Sequence, residues 1–238
     1  MSAAALSEIV TEIITQAKNF GATLAGITSV ASLYDARSYK ASGYQPNLPE
    51  NLKSVLVLAL AHPQSDPEMD WWDTETGLSP GTQSLIEVTQ KLKPWLQETY
   101  NMQTRSPGYI EDVGPNIFAK EVAVRAGLGT IGRNNLLVTP QFGSRVRLAT
   151  ILLDIELPPT GPIDFDPCAT CDMRCRRACP QRAFESGSYT RASCKIQIQR
   201  SNEDTVTLET AKYGATPRTV IKYCRNCELA CPVGNETR

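Results

Sequence analysis

The sequence predicts a mixed α/β fold, of the α+β kind, in two domains, and three observations favour it. Apolar residues recur at helical spacing in several segments and form short uninterrupted runs, typical of buried strands, in others. All eight cysteines lie after residue 167. A proline-rich stretch at 157–162, typical of a linker or crossing loop, separates the cysteine-free part from the rest. We therefore predict domains over residues 1–160 and 161–238.

Each element of the first domain is predicted from its own pattern. Residues 6–20 have the spacing of an amphipathic helix, and Gly21, a residue typical of helix ends, follows it. The run at 54–61 is apolar enough for a strand that is buried on both faces. Pro94 is expected to disturb a helix because it lacks an N–H group. The remaining predictions are strands over 22–27, 136–139 and 146–154, and helices over 82–100, disturbed at Pro94, and 116–126.

The composition predicts a globular protein and gives no sign of a polyanionic partner. Of the 238 residues, 41% are hydrophobic and 21% are charged, and the formal net charge is −1. The apolar run at 55–61 is far shorter than the ~18 residues that a membrane span needs. The N-terminus has neither a basic signal region nor a twin arginine. We expect a cytoplasmic protein that binds neither nucleic acid nor a membrane.

The cysteines form two runs and one single residue. The runs are Cys168-x2-Cys171-x3-Cys175-x3-Cys179-Pro180 and Cys224-x2-Cys227-x3-Cys231-Pro232, with Cys194 between them. In a reducing compartment such residues are better explained as metal ligands than as disulfides. In bacterial two-cluster ferredoxins, three closely spaced thiolates bind one 4Fe–4S cluster, and the cysteine before the proline reaches the other cluster.

This rule divides the eight thiols into two sets of four. The first cysteine set is Cys168, Cys171, Cys175 and Cys231, and the second cysteine set is Cys179, Cys194, Cys224 and Cys227. The x3 spacing after Cys171 exceeds the usual x2, so the loop there must bulge by one residue. Two four-cysteine zinc sites are the alternative, although zinc requires neither the Cys-Pro endings nor the exchanged cysteines. The pattern therefore favours two 4Fe–4S clusters.

A second motif lies upstream of the cysteines. Residues 125–140 read Arg-Ala-Gly-Leu-Gly-Thr-Ile-Gly-Arg-Asn-Asn-Leu-Leu-Val-Thr-Pro, and residues 142–154 read Phe-Gly-Ser-Arg-Val-Arg-Leu-Ala-Thr-Ile-Leu-Leu-Asp. With the cysteine pattern, this signature resembles the family of epoxyqueuosine reductases and reductive dehalogenases from about Pro107 to Pro232. The resemblance implies a nitroreductase-like domain that binds cobalamin, a corrinoid, followed by a ferredoxin-like domain with two 4Fe–4S clusters. It also implies an external low-potential electron donor, a ferredoxin or flavodoxin.

The chain also departs from the family. Epoxyqueuosine reductases carry Gly-Arg-Asp-Tyr-His where this chain reads Gly81-Thr-Gln-Ser-Leu85, which argues against epoxyqueuosine as the substrate. Respiratory dehalogenases carry a twin-arginine export signal that is not found here. The resemblance therefore implies a short cytoplasmic relative that reduces cobalamin toward cob(I)alamin for reductive chemistry on an unknown substrate.

The resemblance places candidate corrinoid ligands in the signature. Glycine lets the backbone approach a large planar ligand because it has no Cβ atom, although a helix C-cap followed by a turn also explains glycines here. Guanidinium groups could bind the polar tail of a corrinoid, or could be exposed side chains of a strand and a loop. The candidates are Gly127, Leu128, Gly129, Gly132, Arg133 and Arg145, with Arg147 as a further arginine.

Candidate catalytic residues precede the signature. Asp112 could act as a general acid, because a carboxylic acid desolvated beside a corrin can hold its proton near neutral pH. Glu111 competes for that role, and a turn before Gly114 is the alternative role of Asp112. Tyr109 is a second candidate proton donor, with packing as its alternative. His62, the only histidine, could ligate cobalt or carry a proton, and the simpler interpretation is a residue that ends a buried strand.

Three functions remain open on these grounds. The first is an oxidoreductase in which the clusters reduce a bound corrinoid. The second is a protein that reduces or activates a corrinoid as cargo, or on a partner corrinoid protein, without a substrate of its own. The third is an FMN-dependent reductase or a plain electron carrier. The sequence has no Walker A loop, no Rossmann glycine motif and no Gly-x-Ser-x-Gly, which excludes the common nucleotide-binding and hydrolase functions.

Overall fold

The computed structural model of the protein describes residues 2–42, 48–106 and 117–234. The chain divides into two compact units, each built from three separate segments. Unit 1 comprises Met1–Leu60, Leu85–Thr130 and Leu148–Phe165, and unit 2 comprises Ala61–Ser84, Ile131–Arg147 and Asp166–Arg238. The compact units therefore do not follow chain order, whereas the predicted domains at 1–160 and 161–238 do. The functions predicted for those domains stay predictions.

Helices and strands are mixed along the described chain, which confirms the mixed α/β class. The helices are α1 (Ala3–Asn19), α2 (Arg37–Ser42), α3 (Pro80–Tyr100), α4 (Ala119–Arg125), α5 (Arg174–Ala178), α6 (Arg191–Glu203) and α7 (Asn226–Leu229). The strands are β1 (Leu24–Ser29), β2 (Ser54–Ala61), β3 (Trp72–Asp73), β4 (Thr104–Arg105), β5 (Thr130–Ile131), β6 (Leu137–Val138), β7 (Val146–Leu153), β8 (Thr205–Leu208) and β9 (Arg218–Ile221). Among the described helices, none is both long enough and apolar enough to cross a membrane.

Unit 1 is built around a four-stranded sheet with the strand order β1-β2-β7-β4. β1 pairs antiparallel with β2, with Leu24 opposite Ala59, and β4 pairs antiparallel with β7, with Thr104 opposite Leu153. The two central strands, β2 and β7, are the ones predicted from the longest apolar runs. A central strand covered on both faces needs apolar residues at successive positions, which explains the nearly continuous apolar sequence of β2.

Helices α1 and α3 pack against the sheet of unit 1. Side chains two positions apart on a strand share a face, and Leu56, Leu58, Ile151 and Leu153 do so with 0% exposure. The helical side chains are spaced by three or four residues, which puts them on one stripe of each helix. In the same core cluster they are Val10, Ile13 and Ala17 of α1 and Leu85, Val88, Leu92 and Leu96 of α3.

α3 runs from Pro80 to Tyr100 as one helix that includes Pro94, and the predicted disturbance at Pro94 stays a prediction. Proline inside a helix removes one backbone hydrogen bond and crowds the preceding turn, at a cost of ~3 kcal/mol. Leu92 and Leu96, on either side of Pro94, are both fully buried, while Pro94 itself is exposed. Burying a leucine side chain contributes roughly 1.5–3 kcal/mol, so the two leucines together offset the cost of the proline.

Unit 2 contains the three-stranded sheet β3-β9-β8, in which both strand pairs are antiparallel. Ile221 of β9 lies opposite Trp72 of β3 on one side and opposite Thr205 of β8 on the other. The short helices α5, α6 and α7 each carry one cysteine, and α5 contacts α7. Unit 2 therefore holds the chemistry that the cysteine pattern predicts.

Thr160 fastens the proline-rich stretch to unit 1. Its hydroxyl accepts a hydrogen bond from the Ile27 N–H at 2.9 Å and donates one to the Ala126 carbonyl at 2.6 Å. The Thr160 N–H also donates to the Ile27 carbonyl at 2.9 Å. Leu157 is buried, and its N–H donates to Ser54 Oγ at 2.9 Å. Of the two predicted alternatives, the stretch is a packed crossing loop.

Replacing Thr160 by valine tests this attachment. Valine has the same shape but no hydroxyl, so T160V leaves the Ile27 N–H and the Ala126 carbonyl without their partner and lowers the free energy of unfolding by about 2 kcal/mol. T160S keeps the hydroxyl and is the matched control, with a loss well below that of T160V. Urea unfolding followed by circular dichroism measures both variants. A T160V protein as stable as T160S would contradict the attachment.

Candidate functional site

Four cysteines of unit 2 line one cavity that is partly open to solvent. They are Cys168, Cys171, Cys175 and Cys231, the residues of the first cysteine set. The other lining residues are Arg133, Asn134, Val138, Pro167, Pro232 and Val233. Among the described residues, no group of three or more His, Cys, Asp or Glu side chains has the geometry to hold a metal ion. The four cysteines of the first set therefore line one shared cavity, although they are not arranged to bind a single metal ion directly.

The electrostatics of the first set favour a bound cation over free thiolates. Burial raises the pKa of the Cys175 thiol, a hydrogen bond from the Arg176 N–H lowers it, and the three other cysteines of the set raise it. Only the thiolate form of cysteine ligates a metal, and neighbouring thiolates repel one another. A bound cation replaces the proton and removes the repulsion. These four thiols are therefore suited to share a positively charged partner.

Two residues of the second cysteine set, Cys224 and Cys227, have pKa values that are raised in part by other cysteines of the set. Burial raises the pKa of Cys227 to about 12, and the three other cysteines of the set raise it as well. Burial also raises the pKa of Cys224, with an opposing hydrogen bond from the Asn226 N–H and further increases from Cys179 and Cys194. Cys224 is exposed, whereas Cys231 of the first set is buried. The structure therefore brings together the second set too, in a more exposed environment.

The loop between Cys171 and Cys175 accommodates its additional residue by a left-handed backbone. Met173 has a φ of 55°, a conformation that residues other than glycine rarely adopt. Asp172 fixes the loop, because its carbonyl accepts a hydrogen bond from Arg177 Nη1 at 2.6 Å and its carboxylate accepts one from Arg177 Nη2 at 2.8 Å. The one-residue bulge that the spacing predicts therefore lies at Met173.

The chain after Cys231 is held by the turn that precedes β7. A Cβ atom on Gly143 would lie 2.0 Å from the Val233 carbonyl oxygen, and one on Gly234 would lie 2.4 Å from the Gly143 nitrogen. Arg145, which is 5% exposed, donates from Nη2 to the Val233 carbonyl at 3.1 Å. The structure therefore gives Arg145 a role in fixing the residues next to Cys231.

The predicted corrinoid ligands are divided between the two units, and Gly127, Leu128 and Gly129 belong to unit 1. Gly127 has a φ of 78°, and its N–H donates to the Val124 carbonyl at 3.0 Å, as at the C-terminal end of a helix. A Cβ atom on Gly127 would lie 2.9 Å from the Thr160 carbonyl oxygen. Internal packing alone therefore requires glycine at this position.

Gly132 and Arg133 lie beside the first cysteine set in unit 2. A Cβ atom on Gly132 would lie 2.6 Å from Val138 Cγ2 and 3.5 Å from Cys168 Sγ. Arg133 is exposed, and its Nη1 lies 3.6 Å from Met173 Sδ. Corrinoid binding by these residues stays a prediction. The candidate proton donors Tyr109 and Asp112, and the competing Glu111, lie outside the described residues, and their roles also stay predictions.

His62 belongs to a buried charge network, the Asp70 network, that sequence reasoning missed. The side chains of His62 and Asp70 are 3% and 4% exposed, and His62 Nδ1 lies 2.7 Å from Asp70 Oδ2. Arg147 Nη2 lies 2.5 Å from Asp70 Oδ1, and Arg225 also pairs with Asp70. Arg225 Nη2 in turn lies 2.7 Å from His62 Nδ1 and 2.5 Å from Glu228. Two arginines, two carboxylates and one imidazole thus share one buried site.

The Asp70 network attaches the second cysteine run to an earlier part of unit 2. Burial opposes the charge on Asp70, but the His62 hydrogen bond and the charges of Arg147 and Arg225 prevail and hold its pKa below the ordinary value. Arg147 also stacks over the Trp72 ring, 5.4 Å from its centroid. The only signal in the sequence is the arginine inside Cys224-Arg225-Asn226-Cys227, and spacing gives no hint of its partner. Arg225 therefore positions the loop that carries two of the cysteines.

The chain is similar in sequence to two kinds of reductase. An epoxyqueuosine reductase of Lactococcus garvieae (strain Lg2) is 32% identical over 111 residues, which are 47% of this chain and 30% of that protein. A tetrachloroethene reductive dehalogenase of Sulfurospirillum multivorans is 34% identical over 120 residues, which are 46% of this chain and 22% of that protein. The match thus spans less than a third of the length of these relatives. No family model matches the chain.

Solved structures of the same two kinds of protein share the fold. Epoxyqueuosine reductase from Bacillus subtilis, described with an aspartate catalytic loop swung out of the active site, has a TM-score of 0.64, 23% identity, and coverage of 97% of this chain and 66% of that chain. A reductive dehalogenase whose structure suggests a mechanism for B12-dependent dehalogenation has a TM-score of 0.55, 19% identity, and coverage of 72% and 25%. The resemblance predicted from the signature and the cysteines is confirmed.

Replacing Asp70 by asparagine tests the buried network. D70N leaves two buried guanidinium groups without their shared carboxylate and lowers the free energy of unfolding at neutral pH by about 3–5 kcal/mol. Because the folded pKa of Asp70 lies below the unfolded value of about 3.9, its stabilisation is complete above that pH and is lost as the pH falls through the folded value. D70N therefore differs most from the unsubstituted protein at neutral pH, and the difference shrinks in acid.

The matched control is E209Q, which removes one negative charge from an exposed side chain of the same unit. E209Q is expected to change the free energy of unfolding by less than about 0.5 kcal/mol. Urea titrations of both variants between neutral pH and pH 3 make the comparison. Equal stabilities of D70N and E209Q at neutral pH would show that the network contributes nothing.

Proposed function

We propose that this chain, a relative of epoxyqueuosine reductases and reductive dehalogenases, is an oxidoreductase that binds two 4Fe–4S clusters. The observation that carries the proposal is the division of the cysteines of unit 2 into two sets that exchange members between the runs. Cys231, from the second run, joins three cysteines of the first run around one cavity. The same exchange distinguishes two-cluster ferredoxins from paired zinc knuckles.

The cavity of the first set fits a cluster better than a single zinc ion. Zinc bonds directly to four sulfur atoms at ~2.3 Å and needs no space between them. The four thiols here instead line a partly open cavity, with Val138 and Pro167 as part of its apolar wall. Their mutual repulsion also requires a positively charged group to hold them as thiolates. Clusters bound to the two sets would supply one-electron transfer.

We propose a corrinoid as the group that receives these electrons, as the relation to a B12-dependent dehalogenase supports. Gly127 and Gly132 give no independent support, because their missing Cβ positions are already crowded by Thr160 and Val138. Arg133, exposed at the rim of the first cysteine cavity, is the described candidate for a polar contact. Asp112 is the proposed proton donor, by comparison with the aspartate catalytic loop of the Bacillus subtilis reductase. The relatives' own substrates are not carried over.

Pairs of cysteine substitutions test the division into two sets. The unsubstituted protein, purified without oxygen, should contain about eight irons and about eight acid-labile sulfides. C168A/C231A removes two ligands of one cluster and should leave about four irons. C194A/C231A removes one ligand from each cluster and should leave far fewer than four. Iron and sulfide analysis with circular dichroism as a folding check separates the two results.

The opposite order, with more iron in C194A/C231A than in C168A/C231A, would overturn the assignment of Cys231 to the first set. Two zinc ions per chain with no sulfide would overturn the clusters altogether.

Corrinoid uptake tests the acceptor separately. Incubation with hydroxocobalamin, followed by desalting, should leave about one cobalt per chain. Addition of a low-potential electron donor should then give the visible spectrum of a reduced corrinoid. C194A/C231A is the control for electron delivery, because it should bind cobalt without being reduced by a protein donor. About eight irons per chain without cobalt uptake would support the two clusters but refute corrinoid binding. FMN would then be the next candidate acceptor.

A further inference from the structure

Positive charge is concentrated between the start of α5 and the end of α6. This segment, Arg174–Glu203, contains seven basic and two acidic residues, whereas the rest of the chain contains 17 basic and 23 acidic residues. Six of the seven basic side chains are exposed. Because the formal net charge of the chain is −1, the segment differs in sign from its surroundings. Such a local field attracts negatively charged partners even when the whole protein is nearly neutral.

Along α6 the basic residues share a stripe with a cysteine of the second set. Residues three and four apart are neighbours on a helix surface, so Arg191, Cys194, Lys195 and Ile198 line up along one side of α6. We call these four residues the α6 stripe. Arg191 and Lys195 are exposed, and Ile198 is one of the few exposed large apolar residues, at 42%. The α6 stripe therefore combines charge and an apolar contact beside a predicted cluster ligand.

The ion pairs of the neighbouring helix do not cancel this charge. Arg174 and Arg177 of α5 pair with Asp172, and their side chains remain 61% and 64% exposed. Exposed pairs of this kind are worth roughly 0–1 kcal/mol and are screened by salt. Two guanidinium groups share one carboxylate, so a positive charge remains. α5 therefore adds to the positive field without belonging to the α6 stripe.

We propose that the α6 stripe is the docking surface for an acidic electron-transfer protein, which delivers electrons first to the cluster of the second cysteine set. The proposal rests on the proposed function and names the entry point of the same electron path. Each transfer moves one electron from the reduced donor to the iron–sulfur group, and no bond forms or breaks. The rate of electron transfer falls steeply with distance, so a donor seated beside Cys194 is well placed. The exposed Cys224 belongs to the same set, whereas the first set contains the buried Cys231.

A nucleic acid is the less favoured partner for the α6 stripe. Proteins that bind single-stranded RNA place aromatic side chains for base stacking among their basic residues. α6 contains no aromatic residue, and its exposed apolar residues are Ile196 and Ile198. Aliphatic side chains ringed by charge are typical of a protein–protein contact, where electrostatic complementarity speeds association.

Charge reversal on the stripe tests the docking surface. R191E/K195E should lower the second-order rate constant for cluster reduction by a purified, acidic, reduced flavodoxin by about tenfold or more at low salt. It should also weaken binding of oxidised flavodoxin, measured by calorimetry on the cluster-containing protein. Reduction by dithionite should change by less than about twofold. K18E/K53E, a double reversal of exposed lysines in unit 1, is the matched control and should behave as the unsubstituted protein.

Each alternative result has one meaning. Equal flavodoxin rates and affinities for R191E/K195E and K18E/K53E would overturn the docking surface. A loss of affinity for an RNA stem loop in R191E/K195E, with an unchanged flavodoxin rate, would overturn it in favour of a nucleic acid. R191K/K195R keeps the charge and should keep the rate, so a tenfold loss there would also contradict the proposal. If the unsubstituted protein contains no iron and sulfide, the proposed function fails, whatever the stripe binds.

Discussion

The unfavourable ionisation of closely held thiols is the constraint on which the rest of unit 2 depends. Burial and neighbouring sulfur atoms raise the pKa values of Cys175 and Cys227, so free thiolates are disfavoured at both sites. The fold brings the cysteines together nevertheless, with Cys231 arriving from the end of the chain. The thiolate form of these cysteines is unfavourable without a cation and becomes favourable with one, because the binding free energy of the cation becomes part of the folding free energy.

The loops that carry the cysteines bury few hydrophobic side chains of their own, and neighbouring parts of the chain fix them in place. α5 and α7 have five and four residues, too few to be stable as isolated helices. Polar contacts replace hydrophobic burial there. Asp172, next to the Met173 bulge, accepts a hydrogen bond from Arg177. Arg145 donates to the Val233 carbonyl, and Arg225 forms an ion pair with Asp70. These contacts come from segments on both sides of the cysteines. Unit 2 is therefore assembled from three parts of the chain.

Local patterns in the sequence predicted the local structure well. β2 occupies the predicted 54–61, and α1 and β7 lie within one to three residues of their predicted bounds, because each has an uninterrupted period of its own. The structure places Cys168, Cys171, Cys175 and Cys231 around one cavity, and the roles of both cysteine sets as cluster ligands stay predictions. α3 continues through Pro94 because the burial of Leu92 and Leu96 is a tertiary effect that outweighs the local cost of proline.

Contacts between distant residues could not be predicted in this way. Asp70 and Arg225, like Gly127 and Thr160, lie far apart in the chain, and no period or spacing connects them. Gly127 shows the consequence most clearly. Within the family signature, Gly127 is expected either to let a ligand approach or to end a helix, and the Thr160 carbonyl crowds its missing Cβ position, which accounts for the glycine without a ligand. A glycine in the sequence thus indicates that some group lies close to the backbone, but it does not indicate whether that group is a ligand or another part of the chain.

Arginine serves unit 2 in two ways, and burial decides which one. Arg225 and Arg145 are buried against a carboxylate and a carbonyl, where a guanidinium with fixed donors can satisfy several acceptors and where losing its partner is costly. Arg177 and Arg191 are exposed, where an ion pair is weak and the charge acts mainly through its field. Arg225, Arg177 and Arg191 lie close in sequence to cysteines, whereas Arg145 is distant in sequence and contacts the chain after Cys231. Buried arginines thus fix the loops, and exposed arginines leave a positive surface toward solvent.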